Sequence, residues 1–393
     1  MRKITTTAYG IRLPIMQRND NLINTVVDSL LEACNTHNII LNDKDIVGVT
    51  EALVARTEGN YATIDDIAND VREKFTDDTV GVIFPIQSRN RFSIILEGIA
   101  KGVKKVILQL SYPTDEVGNR LVSNKAILEK GVNPFSDIFN EKEFREIFGY
   151  ETKHLFTGLD YIEFYKSIAP NIEIIFSNNP LAILNYTDSV IVASIHTRVE
   201  DQDVILNNGG KNVITLADIL NKPNDNHGYN ERFGVLGSNK ATNSEVKLFP
   251  RTSETVVQDL NIRLKEATGK NLEVLVYGDG AFKDPVGEIW ELADPVSAVA
   301  FTDGLKGTPS EMKIKYIADN QFKDLRGKEL TDEIVKTLKT TTLDSSNKDL
   351  SEGTTPRQIS DLVASLCDLT SGSGDKGTPV VLVQGYFDNY SDQ

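Results

Sequence analysis

Five carboxylates fall within one short stretch, GDGAFKDPVGEIWELADP at 278–295: Asp279, Asp284, Glu288, Glu291 and Asp294. Carboxylates this dense repel one another unless a cation or solvent compensates, and oxygen ligands of this type suit hard divalent cations. The stretch begins where an apolar run, NLEVLVYG (271–278), ends, and ligands collect at strand C-termini in α/β sheets. Gly278 and Gly280 flank Asp279 and leave its backbone open to close approach. A solvated acidic loop with Trp290 turned inward is the plain alternative. Residue types alone leave both open.

A second candidate is SGSGDKGTP, 371–379. Its glycines satisfy GxGxxG, but the order is helix, loop, strand, whereas a dinucleotide fingerprint needs strand, loop, helix. Thr378 stands where a P-loop needs its Lys. What remains is a loop whose free N–H groups can cradle an anion beside Lys376, or a plain connection. The third is DIVGVTEALVARTEGNY, 45–61, where a strand runs into a turn carrying Glu51, Arg56 and Glu58. Arg56 there suits a phosphate or carboxylate, or simply an internal ion pair. No two of the four histidines have metal-ligand spacing, and Cys34 and Cys367 fall on apolar stripes as buried hydrophobes.

Alternating strand-like and helix-like segments must position these groups. Behind Asn19 and Asp20 as caps, Leu22, Ile23, Val26, Val27, Leu30, Leu31 and Cys34 recur at helical spacing. Thr63 and Asp66 spell a capping box. TVGVIFP (79–85), KKVILQLS (104–111), IEIIFSN (172–178) and DSVIVASI (188–195) read as buried strands, with helices at 92–103 and 159–169 between them. The segment 221–244 is polar and rich in Asn and Gly, the pattern of a functional loop or linker. A helix at 252–268, a strand at 271–278, a helix at 356–369 and a strand at 379–385 follow. The pattern predicts a mixed α/β (α+β) fold.

Composition narrows the function. The chain has 393 residues, with 57 acids against 42 bases and a net charge of −15. That balance argues against nucleic acid or an anionic membrane as the main partner. No apolar leader or spanning run is present, so a soluble cytoplasmic protein is expected.

Taken together, these segments resemble the coenzyme F420 γ-glutamyl ligase family from about Gly10 to Gly385, with an apparent insertion within 80–230. GIRLPI (10–15) resembles the family's Gly-Leu-Pro-Leu-Ile, which implies nucleotide contacts at Leu13, Pro14 and Ile15. Glu51 and Ala52 stand at a nucleotide-contacting Ser-Thr pair, and Arg56 replaces a nucleotide-contacting Lys. Asp279 matches a metal-binding Asp, with Gly280 in place of Thr. Ser238, or Asn239 after a one-residue slip, stands on the second metal-binding Asp. Gly372, Ser373, Gly374 and Asp375 resemble the Gly-rich nucleotide loop, Asp375 matching and Ser373 replacing a metal-binding Glu. The resemblance implies two lobes with mixed sheets, with 1–230 and 231–393 as the candidate division, and a homodimer. It also implies GTP as substrate, Mn²⁺ or Mg²⁺, and an amide bond between L-glutamate and a carboxylate acceptor, F420-like or other. Neutral side chains at two metal positions motivate the alternative, a non-catalytic ligand-binding or regulatory protein on this scaffold.

Overall fold

The computed structural model describes residues 3–150, 152–154, 157–280, 294–342, 348–351, 357–372 and 374–392. Two compact units divide the chain. The first comprises 1–54, 252–280 and 297–393; the second comprises 55–251 and 281–296.

The first unit is built on a mixed five-stranded sheet in the order Thr7–Ile11, Val380–Gln384, Ile46–Thr50, Glu273–Tyr277, Ala298–Phe301. Its three inner strands are nearly continuous β-branched and aliphatic runs because helices cover both faces. On one face the helix Ile359–Ser371 sets Val363, Ala364 and Cys367 against Ile46, Leu275, Tyr277, Val381 and Val383. Gly48 admits that helix: a Cβ there would come within 2.6 Å of the Cys367 Sγ. Ser253–Thr268 packs on Glu273–Tyr277 and on Leu22–His37. Both cysteines are buried, as their apolar spacing predicts.

Three local readings change. The cap of Leu22–His37 is Asn21, whose side chain accepts from the Asn24 N–H, because only that residue reaches the third helical amide. The Asp20 carboxylate instead accepts from the Gln17 N–H. The segment read as a turn at 51–58 is a helix, Glu51–Glu58, which buries Leu53, Val54 and Ala55. Helices Ile314–Asn320 and Gly327–Thr340, which the pattern did not announce, pack around Ile317, Ile334 and Leu350.

The second unit holds a six-stranded sheet in the order Phe139–Asn140, Ile172–Phe176, Lys105–Leu110, Thr79–Ile83, Ser189–Val192, Asn212–Thr215. The last five strands are parallel, and the first is an antiparallel edge. The capping box at Thr63 and Asp66 opens the helix Ile64–Lys74, which packs on Phe92–Gly102. Within 221–244, Asn230 Nδ2 donates to the carbonyls of Phe249 and Pro250, so side-chain amides tie this polar segment down.

Asp115, in the loop after Lys105–Leu110, is 6% exposed and accepts from the N–H groups of Gln87, Val117 and Asn119 and from Asn119 Nδ2. Burial outweighs these donors and pushes its carboxyl up to about 6. A folded-state value above the unfolded one contributes stability below about pH 4 that is lost as pH rises through about 6. The stability difference between wild type and Asp115→Asn is therefore expected to shrink by on the order of 3 kcal/mol from pH 4 to 7. Urea melts across that range check it, and a flat difference would remove the assignment.

Candidate functional site

Strand register in the first unit gathers the candidate segments at one edge of its sheet. Parallel pairing sets Thr50 opposite Tyr277. Antiparallel pairing sets Val380 opposite both Val49 and Ile11. The chain therefore leaves Ile11, Thr50 and Tyr277, and arrives at Val380, on the same side. Arg12–Ile15, Glu51, Gly278–Gly280 and the 371–379 loop meet there.

Backbone bonds hold the arrangement. The Thr50 N–H donates to Pro379 O at 3.0 Å and the Leu13 N–H to Gly377 O at 3.4 Å. Arg12 Nε donates to Lys376 O at 3.3 Å, and Thr378 Oγ1 to Ser371 O at 2.8 Å. The Tyr277 hydroxyl donates to Pro379 O at 3.4 Å, and burial keeps it protonated by pushing its pKa far up. The loop itself is a short right-handed turn, Gly374–Lys376, followed by Gly377 at φ +65°. A right-handed residue followed by a left-handed one turns successive N–H groups to one side and forms an anion-binding concavity. Gly372 also has φ +65°, and a Cβ there would lie 2.8 Å from the Lys376 side chain. The ammonium-bearing chain thus folds back over the loop.

Leu13 is half-buried, Pro14 is exposed and Ile15 is 88% exposed, an apolar surface beside the loop. Glu51 is buried at the start of its helix. Gly372, Gly374 and Asp375 are exposed, and Ser373 lies outside the described residues. Asp279 is half-buried two residues after Tyr277, the last residue of its strand. Arg56, exposed in the last turn of Glu51–Glu58, and Asn239, in the two-residue strand Asn239–Lys240, belong to the second unit.

Asp368 was missed by sequence reading because it lies in the last turn of a helix that reads as apolar. Its Oδ2 accepts from the Gly280 N–H at 2.9 Å, which brings a second carboxylate next to Asp279 along the chain. Close packing also explains Gly280: a Cβ would fall 2.9 Å from the Ser365 Cα. Of the acidic stretch, Asp284, Glu288 and Glu291 lie outside the described residues. Asp294 is not a free ligand. It pairs with Arg91 at 2.6 Å within the second unit, its side chain 1% exposed.

Among the described residues no three His, Cys, Asp or Glu side chains form a metal cluster. Magnesium does not require one, since it keeps several waters and takes one or two carboxylates together with substrate phosphates. Asp279 and Asp368, all-oxygen donors at the edge where an anion-binding loop also ends, fit a hard divalent ion of that kind. No described helix is long and apolar enough to cross a membrane.

A family model described as F420-0:Gamma-glutamyl ligase matches residues 10–385, nearly the whole chain. No curated protein matches the chain significantly.

Proposed function

The chain belongs to the F420-0:gamma-glutamyl ligase family, and from that premise we propose that it is a nucleotide- and metal-dependent ligase joining L-glutamate to a carboxylate acceptor. The observation that carries the reading is the convergence of Arg12–Ile15, Glu51, Asp279 and the 371–379 loop at one sheet edge. They are the segments through which the chain resembles the family's nucleotide and metal sites.

In the proposed reaction an acceptor carboxylate oxygen attacks the γ-phosphorus of GTP. The bond to the β-phosphate oxygen breaks, leaving GDP and an acyl phosphate. The glutamate amine then attacks the acyl carbon, phosphate leaves with the bonding pair, and the nitrogen loses a proton to give the amide. Little covalent chemistry falls to the protein in phosphoryl transfer, and positioning with charge compensation does most of the work. The N–H groups of Gly374, Asp375 and Gly377 would hold phosphate oxygens, with Lys376 adding positive charge. Leu13, Pro14 and Ile15 would pack against the nucleoside, and Glu51 would order the helix start beside it. Asp279 and Asp368 would hold Mg²⁺ or Mn²⁺. Bound metal would offset phosphate charge.

Incubation with GTP, Mn²⁺ or Mg²⁺, L-glutamate and a deazaflavin carboxylate acceptor is expected to give a product heavier by one glutamyl residue, together with GDP. No product from this or other carboxylate acceptors, while GTP with metal still raises the melting temperature, would favour the non-catalytic reading. A homodimer is proposed on the same family ground. Light scattering at micromolar concentration should then return about twice the 43.5 kDa chain mass, and a monomer mass would remove it.

A further inference from the structure

Ile11, the last residue of the strand Thr7–Ile11, is buried, and Arg12 after it is exposed. Antiparallel pairing of Ile11 with Val380 sets Arg12 beside the turn Gly374–Lys376, which precedes that partner strand. There its Nε donates to the Lys376 carbonyl at 3.3 Å, across 364 residues of sequence, while the Leu13 N–H bonds Gly377 O. Gly10 closes the junction, since a Cβ there would meet the Thr378 side chain at 3.2 Å. The guanidinium is thus tied to the backbone of the anion-binding turn itself.

That bond uses one N–H group. The others, on Nη1 and Nη2, have no hydrogen-bond or ion-pair partner among the described residues. The Lys376 ammonium has none there either, and it lies near Gly372, where a Cβ would come within 2.8 Å of Nζ. In a chain with 57 acids and 42 bases, two cations are therefore held at one turn with no carboxylate partner among the described residues. Like charges kept close repel, and an anion between them offsets that cost. A guanidinium presents a planar fork that matches phosphate oxygens bidentately. With the N–H concavity of the turn, these groups form a donor set suited to an oxyanion.

Resting on the nucleotide reading of this loop, we propose that Arg12 binds the polyphosphate chain of the nucleotide together with Lys376, and that the two cations suffice to bind it without a divalent ion. The family resemblance gives contacts only to Leu13, Pro14 and Ile15 of this segment, and the proposed reaction gives Arg12 no role. Arg12 would hold phosphate oxygens through Nη1 and Nη2, its orientation fixed by the Nε bond.

Calorimetric titration of inorganic tripolyphosphate into the full chain, with EDTA present, tests the phosphate contact apart from any nucleoside. Tripolyphosphate binds, and Arg12→Gln, at an exposed position, weakens it at least tenfold. GTP under the same conditions binds more tightly than tripolyphosphate and loses the same factor in Arg12→Gln. The affinity of the variant also falls less steeply with added salt, because one cation fewer meets phosphate. A residue that only braced the turn would leave that slope unchanged. Arg12→Lys recovers part of the loss, since it restores the charge without the fork. Lys339→Gln, which removes a cation from the helix Gly327–Thr340, leaves the affinity unchanged. No binding of tripolyphosphate, equal affinity in wild type and Arg12→Gln, an unchanged salt slope or an equal loss in Lys339→Gln overturns the proposal. GTP bound no more tightly than tripolyphosphate overturns it too, because the occupant is then a free polyphosphate. A failed ligation assay in a chain that binds GTP through Arg12 removes the ligase reading and leaves this one; ligation indifferent to Arg12→Gln does the reverse.

Discussion

Asp279→Asn is expected to lower the rate of glutamate ligation by at least about 100-fold, which corresponds to ~3 kcal/mol of lost transition-state stabilisation. The substitution keeps the side chain's shape and removes its charge. Asp279 follows Tyr277 and Gly278 at the C-terminal end of a central strand, and Asp368 holds the adjacent Gly280 amide. If Asp279 is a metal ligand, removing its charge weakens Mn²⁺ binding far more than folding. The melting temperature should stay within about 1–2 °C of wild type, roughly the shift that 1 kcal/mol produces in a chain of this size. Titration of Mn²⁺ in the presence of GTP separates the outcomes. Equal metal affinity in the two proteins would sink the assignment, even if activity fell.

The largest effect on stability is expected at Arg145, far in sequence from any proposed ligand. Its side chain is 4% exposed and its guanidinium donates to both Asp160 carboxylate oxygens, at 2.9 and 3.1 Å. It also donates to Thr152 Oγ1 at 2.7 Å and to Glu163 Oε1 at 3.2 Å. Arg145→Met would strand the Asp160 carboxylate, 13% exposed, without its cation. Breaking one side of such a buried pair costs about 3–5 kcal/mol. Replacing both, Arg145→Met with Asp160→Asn, should recover most of that loss, because a well-packed neutral pair avoids the desolvation of two ions. The new amide oxygen can still cap the helix Tyr161–Ile168, as Asp160 does now through the N–H groups of Ile162 and Glu163. Urea unfolding of both variants checks this. A single-variant loss below about 1 kcal/mol would show that the pair is not a structural anchor.

The same pair carries a pH dependence opposite to that of Asp115. Burial alone would raise the Asp160 pKa, but bonds from Arg145, Thr152 and the Glu163 N–H outweigh it and lower the net value. Its contribution is therefore present above the unfolded pKa, near pH 4, and is lost as pH falls through the lower folded value. Asp115, buried, and Asp160, half-buried, are acids of one unit. Their opposite shifts follow from what surrounds them, a salt bridge in one case and uncharged donors in the other.

How much of this was legible beforehand depended on the range of the interaction. Thr63 and Asp66 face each other three residues apart, so their capping box could be read directly from the chain. The runs around Val80, Val106, Ile174 and Val190 could be read as strands because a sheet covered on both faces demands apolar side chains at nearly every position. The segments at 278–280 and 371–379 stood out by residue type, and 10–15 only through the family resemblance. The edge they share was not visible, because it rests on pairing among strands more than 200 residues apart.

Several assignments needed the folded chain. Glu51–Glu58 is a helix because its buried face packs away, whereas its Thr, Glu and Gly suggested a turn. Asp294 looked like one more acid of a metal-binding run until Arg91 appeared beside it, 203 residues away in sequence. Gly280 reads as a lost Thr, yet the Ser365 backbone leaves no room for a Cβ. The strand order of the six-stranded sheet has no local signature at all. Side-chain type and short-range periodicity write helices, strands and caps into the sequence, since those depend on neighbours within about four residues. Strand order, register and ion-pair partners depend on which distant surfaces bury each other. For this protein the chemistry-bearing residue types came from the sequence alone, and the tertiary structure decided which of them share a site.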